Sequence, residues 1–245
     1  MIRVSVVSYL NSKPFVAGLT QNSIKNKIDL SLDIPSVCAE KLINGKVDIG
    51  LIPVAVLPLV KNAQIITSFC IASNGNVNSV LLLSQVPLNE IKQIWLDYHS
   101  RTSVMLAQLL AKEFWKIDVS WLPSEKGFEN KIEGQTAGVV IGDRALALKS
   151  NFKYVYDLAT EWKKHTGLPF VFACWVSNKS LPEDFIVAFS HALNQGVAMI
   201  PELSKQLQPD YLFDVKSYLT ENIDFRLDEE KEQALKLFLE RIELK

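Results

Sequence analysis

Polar side chains that suit ligand binding appear first in the loop after the opening apolar run, at Ser8, Tyr9, Asn11 and Ser12. Pro14 follows and favours the first turn of a helix, where its missing N–H needs no partner. Either Asn11 or Ser12 can cap that helix. Helix starts bind small anions, and α/β proteins bind ligands at the carboxyl ends of parallel strands. The loop therefore fits an anion site, and it equally fits a plain strand–helix connection with a capping asparagine.

A second polar group, Ser100-Arg101-Thr102-Ser103, opens a predicted helix whose apolar residues recur at four-residue spacing. The free N–H groups and the positive end of the helix dipole favour a carboxylate at this position. Three hydroxyls and an arginine exceed what capping alone needs. The pattern therefore favours a carboxylate site about as much as simple N-capping by Ser100.

Two further positions lie at the ends of predicted buried strands. Ser79 begins the run 79–83, and a buried hydroxyl there needs a partner, which neighbouring backbone or a ligand can supply. Gly142 follows the run 137–141 and lets the backbone approach a ligand closely. Asp143 fits the cap of the next helix. These positions add candidates to the same ligand site.

The order of the elements predicts an α/β protein. Apolar runs near 2–7, 28–34 and 47–52 alternate with helical patterns, as in a parallel sheet with crossover helices. A Gly-capped helix end followed by a buried strand occurs near 41–52 and again near 131–141. This repetition predicts two lobes of similar build that face each other across a cleft.

The boundaries of the lobes follow from two features. The pattern of elements restarts at Pro87, and the apolar run 170–176 can carry the chain back to the first lobe. We therefore predict one lobe formed by residues 1–85 and 176–245 and a second lobe formed by residues 86–175. A ligand would bind in the cleft between them.

Composition excludes several classes of function. The 245 residues have a net charge of −1 without a basic face, so neither nucleic acid nor a membrane surface is expected as a partner. The 3 cysteines and 3 histidines are widely spaced, which predicts neither a disulfide framework nor a metal site. No apolar stretch of about 18 residues indicates a membrane span. Because no signal-peptide pattern is present, we expect a cytoplasmic protein.

Several motifs together resemble the chorismate dehydratase family of the futalosine route to menaquinone. They occur in the family's order and cover most of the chain up to residue 176, whereas residues 218–240 are less specific. The motifs are VSYLNSKPF (7–15), DIGLIPVAVL (48–57), NSVLLLS (78–84), SRTSVMLAQLL (100–110), IGDRAL (141–146) and DLATEWKKHTGLPFVFACWV (157–176).

The resemblance implies the two-lobed fold of type II periplasmic binding proteins, with mixed sheets flanked by helices and a ligand cleft between the lobes. It also implies a hydro-lyase that removes water from chorismate and gives 3-[(1-carboxyvinyl)oxy]benzoate. The ring becomes aromatic in this reaction, so no cofactor is expected. The partner is then the small-molecule substrate, and the oligomeric state stays open.

The resemblance also implies roles for individual residues. Asn11 and Ser79 would be catalytic and hold a carboxylate or the leaving hydroxyl, while residues 100–103 would fix the other carboxylate. Asn and Ser are poor bases, so the substrate's own enolpyruvyl carboxylate is the expected proton acceptor. The remaining expected substrate-binding residues are Ser8, Tyr9, Ile52, Pro53, Gly142 and Asp143.

Two alternatives share the expected fold. The residues by themselves favour a small-anion solute-binding protein over an enzyme, and the resemblance reverses that order. The missing signal peptide and lipid-attachment cysteine also argue against a solute receptor. The second alternative is 1,4-dihydroxy-6-naphthoate synthase of the same route, against which the VSYLNSKPF and SRTS motifs favour the dehydratase.

Overall fold

Two β-sheets form the framework of the protein, as seen in a computed structural model that describes residues 1–21 and 23–242. The first sheet contains the strands β1 (Ile2–Val7), β2 (Ile28–Asp33), β3 (Ile49–Pro53), β4 (Gln64–Ser73), β10 (Phe170–Ser177) and β11 (Asp224–Arg226). The second contains β5 (Val80–Ser84), β6 (Gln93–Leu96), β7 (Ser120–Pro123), β8 (Thr136–Ile141) and β9 (Tyr154–Asp157). Their orders are β11-β4-β10-β3-β1-β2 and β7-β6-β8-β5-β9.

Helices pack against both sheets. Across the described ranges, none of them combines the length and the apolar character needed to cross a membrane. They are α1 (Lys13–Gln21), α2 (Pro35–Ile43), α3 (Thr102–Leu110), α4 (Asp143–Leu148), α5 (Leu158–Thr166), α6 (Glu183–Ala198), α7 (Ile200–Leu207), α8 (Val215–Ser217) and α9 (Glu229–Arg241).

Both sheets mix parallel and antiparallel pairs. In the first sheet, β1 runs parallel to β2 and β3, whereas β10 runs antiparallel to β3 and β4. In the second, β6 runs parallel to β7 and β8, while β5 runs antiparallel to β8 and β9. Every residue of β3, β5 and β10 is buried, since helices or loops cover both faces of these central strands.

The strand pairing differs from the predicted lobe boundaries at two places. Strand β5 lies before residue 86 but is hydrogen-bonded within the second sheet, and the predicted boundary at residue 176 cuts β10, which pairs throughout with the first sheet. The chain leaves the first sheet in the turn at 74–79, whereas Pro87 follows a strand that already belongs to the second. We propose that the two lobes follow the two sheets.

Close packing of α1 against α6 fixes the start of the chain. A Cβ atom built on Gly18 would lie 2.0 Å from the carbonyl oxygen of Ala192, and one on Gly196 would lie 2.0 Å from that of Pro14. Only glycines allow the two helix backbones to approach this closely. Because α1 begins directly after the loop 8–12, this contact also fixes one side of that loop.

Replacing Gly196 by Ala should lower the free energy of unfolding by about 1–3 kcal/mol, because the added methyl group overpacks a backbone contact. Helix propensity alone would raise stability by about 1 kcal/mol, so the sign of the change is informative. Urea denaturation measures it, and His191→Ala at an exposed site of the same helix is the control. A more stable Gly196→Ala protein would contradict the close contact.

Candidate active site

A narrow cavity lies between the two sheets, where the loop after β1, the end of β3, the start of β5 and the start of α3 meet. Its lining contains both polar groups and apolar side chains. The lining residues are Val7, Tyr9, Asn11, Pro35, Pro53, Ile71, Val77, Ser79, Val80, Ser100, Thr102, Ser103, Ile141, Gly142, Phe172 and Ala173.

The structure brings together most of the predicted site residues in this cavity. Four of them lie elsewhere. Ser8 is exposed, and Ile52 is buried within β3 as the register partner of Cys174. Arg101 is exposed and borders a separate groove. Asp143 begins α4, just outside the lining. Those that line the cavity are Tyr9, Asn11, Pro53, Ser79, Ser100, Thr102, Ser103 and Gly142.

The loop after β1 forms a short 3₁₀ turn, Leu10–Ser12, ahead of α1. The Ser12 hydroxyl donates to the carbonyl oxygens of Val7 and, at 2.8 Å, of Tyr9. Ser12 therefore braces the loop from within instead of capping α1 as the sequence suggested. Its neighbour Asn11 faces the cavity.

Asp143 holds the same loop from the opposite sheet. Its carboxylate accepts a hydrogen bond from the backbone N–H of Leu10 at 3.1 Å and from the hydroxyl of Tyr211 at 3.5 Å. Burial raises the pKa of Asp143, although the bond from Leu10 opposes that shift. Asp143 therefore positions the residue next to Asn11, and its contact with the substrate stays a prediction.

The ring of Tyr9 leaves no room for a side chain at position 142, which is glycine. Its φ of +67° lies in the region that glycine favours, and a Cβ atom there would lie 2.9 Å from the Tyr9 ring. The ring of Tyr9 thus approaches Gly142 closely. Gly142 also lines the cavity, and the approach of a ligand to it stays a prediction.

Tyr9 also contacts His99, one of the 3 widely spaced histidines of the sequence. The Tyr9 hydroxyl lies 2.5 Å from Nδ1 of His99, and the two rings are stacked. Burial lowers the pKa of His99, and the charge of Arg144 adds to this shift. Burial also raises the pKa of Tyr9. Both shifts favour the neutral forms of the two side chains.

A buried ion pair supports this side of the cavity. Both carboxylate oxygens of Asp97 accept from Arg144 at 2.7 Å, and Asp97 also accepts from the N–H groups of Ile141 and His99. Arg144 additionally binds Glu129. Two carboxylates thus neutralise this guanidinium. Local sequence spacing gave no signal for the pair, because its members are 47 residues apart.

The three hydroxyls at the start of α3 have different roles. The Ser100 hydroxyl accepts from the backbone N–H of Ser103 at 3.0 Å, which confirms the predicted cap. The Thr102 hydroxyl accepts from Ala55 N–H at 3.1 Å and donates to the carbonyl oxygen of Phe172 at 3.3 Å. The Ser103 hydroxyl lines the cavity without a hydrogen bond to any described residue. Only Ser100 and Ser103 therefore retain a proton to donate to a ligand.

Ser79 has a partner that the sequence did not indicate. The Tyr218 hydroxyl donates to its Oγ at 2.8 Å, and its carbonyl oxygen accepts from Gly142 N–H at 2.8 Å. Burial raises the pKa of Tyr218, and hydrogen bonding with Ser79 and Asn11 opposes the shift. Ser79 and Asn11 therefore share a neighbour at one end of the cavity.

The lining of the cavity is mostly apolar, with hydroxyls and an amide as its polar groups. None of its described lining residues is a lysine or an arginine, and no group of acidic, cysteine or histidine side chains within the described ranges could hold a metal ion. An anion would therefore be bound by hydroxyls, an amide and the N–H groups at the start of α3. Tyr9 is the one titratable side chain in this lining.

Comparisons with known proteins agree with the sequence motifs. A family model described as menaquinone biosynthesis matches residues 2–244. A chorismate dehydratase from Thermus thermophilus is 28% identical over 235 residues, which are 86% of this chain and 85% of that protein. A chorismate dehydratase from Campylobacter jejuni is 34% identical over 114 residues, which are 44% of this chain and 50% of that protein.

A solved structure confirms the predicted fold class. The Candida albicans CA3427 gene product, described as exhibiting the generic periplasmic binding protein structural fold, matches with a TM-score of 0.62. It is 14% identical, and the match covers 100% of this chain and 92% of that one. The identity is low, so this likeness concerns the fold alone.

Two substitutions in α3 should show which hydroxyl stabilises the fold and which is free to bind a ligand. Thr102→Val leaves the buried N–H of Ala55 and the carbonyl of Phe172 unpaired, so we expect a loss of about 1–3 kcal/mol in the free energy of unfolding. Ser103→Ala removes no such bond and should change it by less than about 0.5 kcal/mol. Chemical denaturation of both variants measures this, and equal losses would contradict the assignment.

Proposed function

Because the chain belongs to the menaquinone biosynthesis family, we propose that it is a chorismate dehydratase that forms 3-[(1-carboxyvinyl)oxy]benzoate. The observation that carries the proposal is the meeting of Asn11, Ser79 and Ser103 in one cavity, on a chain similar to two chorismate dehydratases. The site would lie between two lobes that follow the two sheets.

The reaction is a 1,2-type elimination that balances without a redox partner. A ring C–H bond breaks and its electrons form a new ring double bond, while the C–O bond of the ring hydroxyl breaks. The proton and the hydroxide leave as water, and the ring becomes aromatic. The protein therefore has to orient the substrate, stabilise the departing oxygen and exclude water.

The two carboxylates of chorismate would be bound at opposite ends of the cavity. One would accept hydrogen bonds from Ser100, Ser103 and the N–H groups that open α3, where the helix dipole is favourable. The other, or the leaving hydroxyl, would be held by Asn11 and Ser79. Because none of the described lining side chains carries a positive charge, binding would depend on directed hydrogen bonds.

The proton acceptor in this proposal is the enolpyruvyl carboxylate of the substrate. The lining contains no carboxylate or imidazole within the described residues, and the raised pKa of Tyr9 makes its phenol neutral at physiological pH. A carboxylate of the substrate, held beside the ring by Asn11 and Ser79, would reach the ring proton intramolecularly. Such an arrangement can replace a protein base.

The apolar wall would exclude bulk water from the reacting ring. Pro53, Ile141 and Phe172 are among the apolar residues of the lining. The proposal includes a cytoplasmic location, which the three free, buried cysteines support, because thiols remain reduced there.

Purified protein incubated with chorismate should form an aromatic product whose mass is that of chorismate minus water, detectable by absorbance and mass spectrometry. Binding of chorismate without a change in its mass would instead indicate a solute-binding protein. Absence of both binding and turnover would contradict the proposal and favour a different substrate, such as that of the naphthoate synthase.

We expect Asn11 to stabilise the transition state more than the bound substrate. We expect Asn11→Ala to retain some binding but to lower kcat about 10²–10³-fold, as for other donors to a developing oxyanion. Asn11→Asp places a negative charge beside an anionic substrate and should lose most of both binding and turnover. Steady-state kinetics and thermal melts measure this, with Asn130→Asp at an exposed position as the charge-matched control. Near-normal kcat in Asn11→Ala would remove Asn11 from the mechanism.

Ser103→Ala should raise KM for chorismate about tenfold with a smaller change in kcat, because a hydrogen bond to a carboxylate in the ground state is lost. The same variant retains its stability by the argument given above, so weaker binding would not reflect unfolding. An unchanged KM would show that the start of α3 does not bind the substrate.

A further inference from the structure

Tyr218 lies directly behind Ser79, outside the lining of the cavity. It begins a π-helical turn, Tyr218–Asn222, which follows α8. Such turns occur frequently at functional sites. The ring is 3% exposed and packs edge-on against Phe213. Its hydroxyl, the one polar atom of the side chain, therefore needs a partner inside the protein.

That partner is Ser79, and the bond determines what Ser79 can do. The Tyr218 hydroxyl donates to Oγ of Ser79 at 2.8 Å in a buried environment. The proton of Ser79 itself has no acceptor among the described residues, while the residue borders the cavity. A hydroxyl that accepts on one side donates on the other. Ser79 is thus left with one direction in which to donate, which is into the cavity.

We propose that Tyr218 is a positioning residue for the dehydration, which fixes Ser79 as a hydrogen-bond donor toward an oxygen of the substrate. This inference rests on the proposed function. As the C–O bond breaks, the departing oxygen gains negative charge, and a donor aimed at it stabilises the transition state. Donation from Tyr218 also polarises the Ser79 hydroxyl and strengthens its own donation. Tyr218 neither gains nor loses a proton.

The surrounding segment is held by bonds that do not involve the phenol. Nδ2 of Asn78 donates to the side chain of Asn222 at 3.1 Å, and Nδ2 of Asn222 donates to the carbonyl oxygen of Asn76 at 2.9 Å. These bonds attach the segment to the turn that precedes Ser79. Removing the Tyr218 hydroxyl should therefore leave the fold in place.

The test is Tyr218→Phe with chorismate as substrate. We expect kcat to fall about tenfold while KM changes less than about twofold. Tyr156→Phe is the matched control, since it also removes one hydrogen-bonded phenol, which accepts from Leu88 N–H at 3.1 Å far from the cavity. It should keep normal kinetics. In a Ser79→Ala background, Tyr218→Phe should lower kcat by clearly less than tenfold, and the remaining loss would reflect the hydrogen bond between Tyr218 and Asn11.

Each outcome decides a different point. A normal kcat in Tyr218→Phe, or the same tenfold loss in the Ser79→Ala background, would overturn the role of Tyr218 while leaving the dehydratase intact. A wild-type protein that does not convert chorismate would overturn both. If Tyr218→Phe does not fold, 3-fluorotyrosine at position 218 keeps the bond and makes the phenol a stronger donor. An increase in kcat would then support the inference, and an unchanged kcat would contradict it.

Discussion

Catalysis in this cavity depends on the position of one loop, residues 8–12. Asn11 has a short side chain, so it reaches the cavity only if its backbone is fixed. Three contacts fix it: Tyr9 binds His99, Leu10 donates to Asp143, and α1 packs through glycines against α6. Two of these contacts come from residues that follow strands of the second sheet, so the placement of Asn11 depends on how the two sheets pack against each other. Asp143 thus acts on the site without lining it.

A second constraint is the absence of a free positive charge in the described lining. Arg144 lies next to Tyr9, but its guanidinium is bound by Asp97 and Glu129. A cation in the cavity would bind both carboxylates of a dianion strongly before reaction. That would stabilise the ground state and hold the carboxylate that has to accept the proton. Neutral donors bind more weakly and keep this group basic, which suits a reaction that needs selective stabilisation of the transition state.

The sequence predicted those features of the fold and the site that depend on local patterns. The α/β class followed from the alternation of strand and helix patterns, and the periplasmic-binding-protein-like fold followed from the family resemblance. Half of the lining followed from polar groups at the ends of strands together with that resemblance. Hydrogen bonds between residues far apart in the sequence could not be predicted from local patterns. The Tyr218–Ser79 bond joins residues 139 apart, and the Thr102 hydroxyl is occupied by Ala55 and Phe172 rather than by a ligand. The lobe boundary was predicted between residues 85 and 86 because the pattern of elements restarts at Pro87, whereas the chain passes from the first sheet to the second between residues 73 and 80.

The claim that the substrate supplies its own base is tested most directly by the pH dependence of kcat for chorismate turnover by the wild-type protein. Tyr9 has a raised pKa and His99 a lowered one, so neither should titrate between about pH 7 and pH 9. A His99 base would therefore titrate below that range. We predict that kcat is constant from about pH 5.5 to pH 9, because the carboxylates of the substrate stay ionised throughout it. A sigmoidal rise with a midpoint between about pH 5.5 and pH 6.5 that disappears in His99→Gln would assign the base to the protein and contradict the account.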